Sequence, residues 1–384
     1  MLNFMTLNSK HNIFQKVVFS FIVLVSFTAS FLMQSCSEND NPEDDKAVVV
    51  LTCKSLDSET STKQDSSVTR AITSTTENQI NNVTVFIFDS NGDVIGSGYG
   101  AGDITHTGAS VTITTRPAVG CTIYVVANVS SGTFKGVYNK TLFDQQYATI
   151  TAPSYLQDDK TNIDTYPIMF AQEAGVEIKS GTKLEKTIAV ARLLSKITFN
   201  IKPKKTSASL YPITIDGYQL HHVPLACYYV DTYTSEPNTV SYGDFDPVAL
   251  TTKTTDGNTL SFTYYVYENL AGKNSASTTW KDRNKINTSG LNVSYLTVDA
   301  HTDIWKSRFY IYLGGKILTS TGTSGATYDY SDYNIYRNTN YTVTVNITGS
   351  GASEDDVRVD YDANIYFDAP GIKQWTNNSI DVSM

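Results

Sequence analysis

Short apolar runs separated by polar, turn-forming clusters recur along this chain, which is the spacing of strands and hairpins. The first such run after the N-terminal leader is Ala47, Val48, Val49, Val50 and Leu51, a strongly apolar strand. Further strands are expected over residues 82–88, 110–115, 122–128 and 187–201, then 213–220, 260–267, 308–313 and 341–347. A short helical piece is expected within 142–147. Between the strands at 82–88 and 94–95, the pair Asn91-Gly92 predicts a type I′ hairpin turn, which needs positive φ at both central residues. The polar run 202–207 contains Pro203, which cannot donate to a sheet ladder, and a domain boundary is placed there. Strands without interleaved helices predict an all-β chain of tandem β-sandwiches and exclude a βαβ fold. In the tail, Val357, Val359, Tyr361, Ala363, Ile365 and Phe367 alternate with polar residues, a period of two longer than most strands. That pattern suits a half-buried edge strand, or one that docks into a groove on another molecule.

The leader changes the picture of what precedes these strands. Lys10 and Lys16 introduce an apolar or small-residue run over 17–32, too short and wrongly flanked for a transmembrane helix. It ends in Leu32-Met33-Gln34-Ser35-Cys36, which resembles a bacterial lipobox, with Met33 and Gln34 looser than the usual pattern. The alternative is an ordinary signal peptide with an incidental cysteine. The acidic stretch after Cys36 is similar to a surface-export tether of Bacteroidetes lipoproteins. Cys36 is thus the expected lipidation site, carrying the chain to the outer membrane.

Composition adds constraints on chemistry. The 384 residues carry 29 Lys and Arg against 38 Asp and Glu, a net charge of −9, with no basic cluster. Nucleic acid is therefore excluded as a partner. Cys53, Cys121 and Cys227 are far apart and lack zinc-site spacing, so buried thiols are expected. Asp89, Asn91 and Asp93 alternate like calcium-loop ligands, but Val94 and Gly100 occupy the places of that loop's Gly and Glu. His221 and His222, neighbours in an expected strand, should point to opposite faces. No motif of a hydrolase, metalloprotease or phosphate loop is present, and neither enzyme activity nor a cofactor is expected. The tyrosines of 262–267 and 328–341 are read as cross-strand pairs in preference to a sugar-stacking platform.

Several stretches together resemble the Bacteroidales fimbrillins, the type V pilins or major fimbrial subunits. They are Val83-Thr84-Val85-Phe86-Ile87-Phe88-Asp89-Ser90-Asn91-Gly92, Tyr124-Val125-Val126-Ala127-Asn128 and Pro167-Ile168-Met169-Phe170. Val190-Ala191-Arg192-Leu193-Leu194-Ser195-Lys196-Ile197, Tyr265-Val266-Tyr267-Glu268-Asn269 and Arg337-Asn338-Thr339-Asn340-Tyr341 follow in the same order. Ser195 departs from the family's usual Ala before this Lys.

The resemblance implies two transthyretin-like β-sandwiches, over 71–204 and 205–349, behind a signal peptide (1–35) and a removable lipidated segment (36–70). It implies that an extracellular Arg-directed protease cuts between Arg70 and Ala71, releasing the lipid and the strand Ala47, Val48, Val49, Val50, Leu51. The emptied groove would then accept a strand from the C-terminal region (350–384) of another fimbrial subunit. Residues 357–367 are the expected donor, ahead of 380–382. The competing reading is a surface lipoprotein that binds glycans and never polymerises, or a tip or anchor subunit of the same fimbria.

Overall fold

The apolar runs become strands because each can hide one face, or both, between sheets. A computed structural model describes residues 46–54, 77–102, 108–150, 166–204, 211–231, 240–315, 317–318, 327–350 and 376–383. The N-terminal half contains β1 (Ala47–Lys54), β2 (Asn82–Phe88), β3 (Val94–Ala101), β4 (Gly108–Thr115) and β5 (Ala118–Ala127). A one-turn helix, α1 (Lys140–Asp144), precedes β6 (Tyr147–Thr149), β7 (Met169–Ile178), β8 (Lys183–Thr187) and β9 (Ala191–Arg192). One sheet runs in the order β4-β1-β8 and the other in the order β3-β2-β5-β7-β9. Val49 and Leu51 from β1, Val111 and Ile113 from β4, and Val85, Ile123 and Met169 from the larger sheet fill the space between them.

Within the larger sheet β2 is buried on both faces, which explains why it reads as a nearly continuous apolar run. Val83, Val85 and Ile87 enter the sandwich core, while Phe86 and Phe88 point the other way. There Phe86 packs edge-on against Phe134 and Phe143, with ring centroids 5.8 and 5.4 Å away. Phe143 is carried by α1, whose first turn is capped by Asn139: its Oδ1 accepts from the Leu142 amide at 2.9 Å.

Close approach explains the glycines of β3. A Cβ at Gly96 would meet Ile113 Cγ2 at 2.8 Å, and one at Gly98 would meet Val111 Cγ1 at 2.5 Å. Their missing side chains let β4 lie directly over β3.

The second half contains β10 (Leu194–Pro203), β11 (Thr214–His221), β12 (Val223–Pro224), β13 (Ala226–Tyr228), β14 (Tyr242–Gly243) and β15 (Val248–Thr255). It continues with β16 (Leu260–Tyr267), β17 (Tyr295–His301), β18 (Lys306–Tyr312), β19 (Ile317–Leu318), β20 (Thr327–Tyr328), β21 (Thr339–Ile347) and β22 (Thr376–Ser383). Two four-stranded sheets, β16-β10-β21-β22 and β15-β11-β17-β18, make a second sandwich. Its core includes Phe199, Ile215, Leu220, Tyr264, Val298 and Val343. The pairs β12/β14 and β19/β20 are short antiparallel bridges, and β13 pairs with β6 of the first half.

Four sequence expectations change here. The stretch 187–201 is broken into the ends of three strands, and β10 pairs with β16 and β21 in the second sandwich. Pro203 is the last residue of β10, so it ends a strand without ending a domain. The loop at Asn91-Gly92 is not type I′, because only Gly92 has positive φ (86°). Instead the Gly92 amide donates to Asp89 O at 2.9 Å, and Asp89 Oδ1 accepts from the amides of Asn91 and Asp93 at 2.9 and 3.0 Å. The acid side chain thus takes over the work of the second left-handed residue. His222 does not continue β11: it sits at φ 55°, just past the strand. Most of the tyrosines in 262–267 and 328–341 lie in the core, with Tyr264 and Tyr333 fully buried, which leaves no open platform there.

Asp89 also accepts from Arg116 Nη2 at 2.5 Å. Burial works to raise its pKa, but the Asp93 and Asn91 amides and the Arg116 guanidinium outweigh it and hold the carboxyl below its usual range. Such a group adds stability above its unfolded pKa of about 4 and loses it as the pH falls toward the lower folded value. Asp89→Asn should therefore lower the melting temperature at pH 7, and the gap to wild type should shrink in melts taken below about pH 4. Gly98→Val should cost about 1–3 kcal/mol in denaturant unfolding, because Val111 and Ile113 leave no room for its side chain.

Candidate functional site

β1 is the middle strand of its sheet, and both neighbours reach the sheet only through it. It runs antiparallel to β4 from Ala47↔Thr115 to Lys54↔Gly108, and parallel to β8 from Val48↔Lys183 to Thr52↔Thr187. The β8 ladder is closed at its ends by Val48 N to Thr182 O and Ile188 N to Thr52 O, each 3.1 Å. Alternation places Ala47, Val49, Leu51 and Cys53 in the core, each no more than 2% exposed, and leaves Val48, Val50 and Thr52 half-buried on the outer face. Burial pushes the Cys53 thiol up to about 12, so it stays protonated and behaves as a small apolar side chain. Cys121 and Cys227 are likewise buried and form no disulfide among the described residues. Without β1, β4 and β8 would each present an open edge, and the larger sheet would lose the cover over Val85 and Ile123.

Downstream, the described chain resumes at Glu77, where it is held to both halves of the molecule. Lys196 Nζ and the Tyr265 hydroxyl donate to Glu77 Oε1 at 2.6 and 2.5 Å. Arg192 Nε donates to Glu77 O at 2.9 Å, and its Nη atoms donate to Asn78 Oδ1 and, at 3.0 Å, to Asn338 Oδ1. Arg192 is 1% exposed; burial draws its pKa down to about 10, with Glu77 opposing, so it keeps its charge at neutral pH. Asn338 holds the acceptor in place from a left-handed backbone, φ 51°. Close by in sequence, Ser195 donates to Tyr336 O at 2.6 Å, a bond that the alanine usual in the family could not make. Arg337 donates to Glu268 Oε2 at 2.6 Å from Nη2 and to Tyr229 O at 2.8 Å from Nη1.

Of the residues singled out from sequence, Ala47, Val48, Val49, Val50 and Leu51 all lie in β1, with Ala47, Val49 and Leu51 turned into the core. Cys36, Arg70, Ala71 and the alternating positions Val357, Val359, Tyr361, Ala363, Ile365 and Phe367 lie outside the described residues. The other C-terminal candidate, 380–382, falls in β22, which extends the second sandwich by running parallel to β21 from Thr339↔Thr376 to Asn346↔Ser383. Among the described residues no group of three His, Cys, Asp or Glu could hold a metal ion, and no helix is long and apolar enough to cross a membrane. The Glu77 cluster had no signal in the sequence, since its members are spread from 77 to 338 and meet only in the fold.

Residues 48–209 match the family described as major fimbrial subunit protein (FimA). Over this stretch, somewhat under half of its length, the chain is similar to the fimbrillin family. The match begins inside β1 and ends beyond β10, so it takes in the whole first sandwich with its slot. Fimbrillins are structural subunits and not enzymes. No curated protein sequence matches the chain. Among solved structures, a candidate cell adhesion protein from Parabacteroides distasonis is 16% identical with a TM-score of 0.55, covering 88% of this chain and 96% of its own. A second one from the same organism is 14% identical with a TM-score of 0.52, covering 88% and 100%. The tip fimbrial protein Mfa3 from Porphyromonas gingivalis is 14% identical with a TM-score of 0.52, covering 80% and 96%. At these identities the likeness is one of fold, and it extends through both sandwiches.

Glu77→Ala would leave half-buried Lys196 and buried Tyr265 without their shared acceptor. It should destabilise the protein by about 2–4 kcal/mol in denaturant unfolding, whereas Tyr265→Phe, which removes one hydroxyl, should cost about 1 kcal/mol.

Proposed function

We propose that this chain is a subunit of a surface fimbria whose assembly depends on exchanging β1 for a strand of another subunit. In this reading it is exported as a lipoprotein through Cys36, cut by an Arg-directed protease between Arg70 and Ala71, and joined to further fimbrial subunits. The observation that carries the reading is the position of β1. It is a central strand, yet it is connected to the rest of the fold through a stretch of sequence, 55–76, that contains the proposed cut. A central strand that precedes both of its partners in the chain and reaches them through a single connection can be released by one peptide-bond cleavage and replaced without rethreading the fold.

The energetics suit such an exchange. Four inward side chains, Ala47, Val49, Leu51 and Cys53, are hidden by the slot. A donor that refills it with side chains of similar size recovers roughly 5–10 kcal/mol of apolar burial before ordering costs. Two flanking edges also supply main-chain partners on both sides of the incoming strand, one antiparallel and one parallel. The clamp at Glu77 lies only a few residues past Arg70 in sequence, so cleavage would leave β2 and the groove wall fixed.

The donor is assigned to 357–367 because its alternating apolar positions outnumber those of β22, and because β22 already has a partner in its own chain. N-terminal sequencing of protein recovered from cells should begin at Ala71. Protein that keeps Cys36 and β1 would overturn the cleavage step. Replacing Ile365 and Phe367 with Asp should abolish polymers while leaving a folded monomer, with unchanged polymers overturning the donor assignment.

A further inference from the structure

The outer face of the sheet β15-β11-β17-β18 carries a feature that strand exchange does not use. Tyr295 of β17 and Tyr312 of β18 are direct cross-strand partners, and Tyr310 stands beside them opposite Thr297. Their ring centroids lie 5.6 Å (Tyr295–Tyr312) and 6.1 Å (Tyr295–Tyr310) apart, tilted by 44° and 37°. All three remain partly exposed, because alternation sends Leu296, Val298, Phe309 and Ile311 into the core and turns the tyrosines outward. The His221 ring stacks on the far side of Tyr295 at 4.8 Å and 16°, which fixes that ring's orientation.

A bare sheet face would be flat, but this one has a wall. The segment after the 3₁₀ turn Trp280–Asp282 brings Lys285, Thr288 and Ser289 to the same depression as the tyrosines. It is braced internally by Asn284 Oδ1, which accepts from the Ile286 and Asn287 amides at 3.0 Å each. Together with the rings it encloses a depression of about 500 Å³ lined by Tyr295, Tyr310, Tyr312, His222, Lys285 and Ser289, among others. No carboxylate lines it, although the chain carries a net charge of −9. Lys285 is exposed at its rim and makes no ion pair with the described residues. The nearby carboxylate, Asp244, is occupied: Oδ2 by His221 Nδ1 at 3.0 Å and Oδ1 by the His222 amide at 2.8 Å.

The larger depression at the other end of the same sheet, about 860 Å³, differs in this respect. Asp216, Asp299 and Asp303 line it, with Lys253 and His301 on Asp216 at 3.0 and 2.7 Å and Arg308 bidentate on Asp299 at 2.7 and 2.9 Å. Of these two depressions, the tyrosine one combines aromatic faces with a cation and has no carboxylate in its lining.

We propose that the tyrosine depression is a binding site for an acidic oligosaccharide. Pyranose rings present C–H faces that pack on aromatic rings, and a tilted set of three accommodates the turn between successive sugars. Hydroxyls of Ser289 and the tyrosines match the sugar hydroxyls, and Lys285 meets the sugar carboxylate. The site is separate from the β1 slot, so it does not depend on whether the chain polymerises.

Exposed tyrosine ladders also stabilise a sheet, so the deciding measurement is binding. The full chain is titrated with trigalacturonate and with 3′-sialyllactose, using maltotriose as the neutral probe, by calorimetry and saturation-transfer NMR. At least one acidic probe should bind at least 5-fold more tightly than maltotriose. Lys285→Gln, on an exposed loop, should weaken that probe about 3- to 10-fold while leaving the melting temperature unchanged. Tyr310→Ala, checked for folding by its melt, should weaken it at least 10-fold. Absence of binding by both acidic probes, equal binding of maltotriose, or unchanged affinity in Lys285→Gln would each overturn the proposal.

Discussion

The three-stranded sheet of the first sandwich exists because β1 pairs on both of its edges. β4 and β8 do not touch each other in the ladder; each is joined to the sheet through β1, one antiparallel and one parallel. The same strand supplies the middle of the apolar layer that covers Val85 and Ile123. Backbone satisfaction and apolar burial therefore converge on a single strand near the chain's start. A buried edge with unpaired N–H and C=O groups is costly, so the slot is either filled or a strong acceptor for another strand.

A slot of this kind needs walls that hold their shape. The larger sheet is stiffened from behind by the aromatic cluster of Phe86, Phe134, Phe143 and Tyr229, which is continuous with the core of the second sandwich. Glu77, Arg192, Lys196 and Asn338 tie the chain entering β2 to strands of the other half. In this arrangement charge is placed where three separate chain segments meet, and each buried charge has several partners. Loss of one partner strands the others, so the junction tolerates little change. In the reading proposed above, function divides by location: the slot at one sandwich serves assembly, and the open sheet face of the other serves contact with an outside ligand.

Much of the strand content was legible because it rests on local patterns. Period-two alternation and apolar runs marked β2, β16 and β21 within two residues and β1 and β5 over part of their length, and turn residues separated them. Where reading failed, the deciding contact was distant. The strand at 194–203 looks the same in sequence whether it joins the first sandwich or the second; its partners are more than fifty residues away in the chain. The Asn91-Gly92 loop failed for a smaller reason, because Asp89 could satisfy the turn amides with its side chain and remove the need for a second left-handed residue. Most of the tyrosines of 262–267 and 328–341 are as aromatic as those of 295–312, but only the register of each strand decides which ones face water.

By itself the sequence determined that the chain is all-β, that its cysteines are not a disulfide framework, and that an apolar strand precedes the first hairpin. Those properties follow from composition and short-range periodicity, which folding cannot alter. Only the tertiary structure decided that this strand is central instead of marginal, that Glu77 is clamped to Lys196 and Tyr265, and that three tyrosines gather under a loop carrying Lys285. Each depends on which segments become neighbours. Period-two patterns specify that a strand has an inner and an outer face; they carry no information about which partner lies against it.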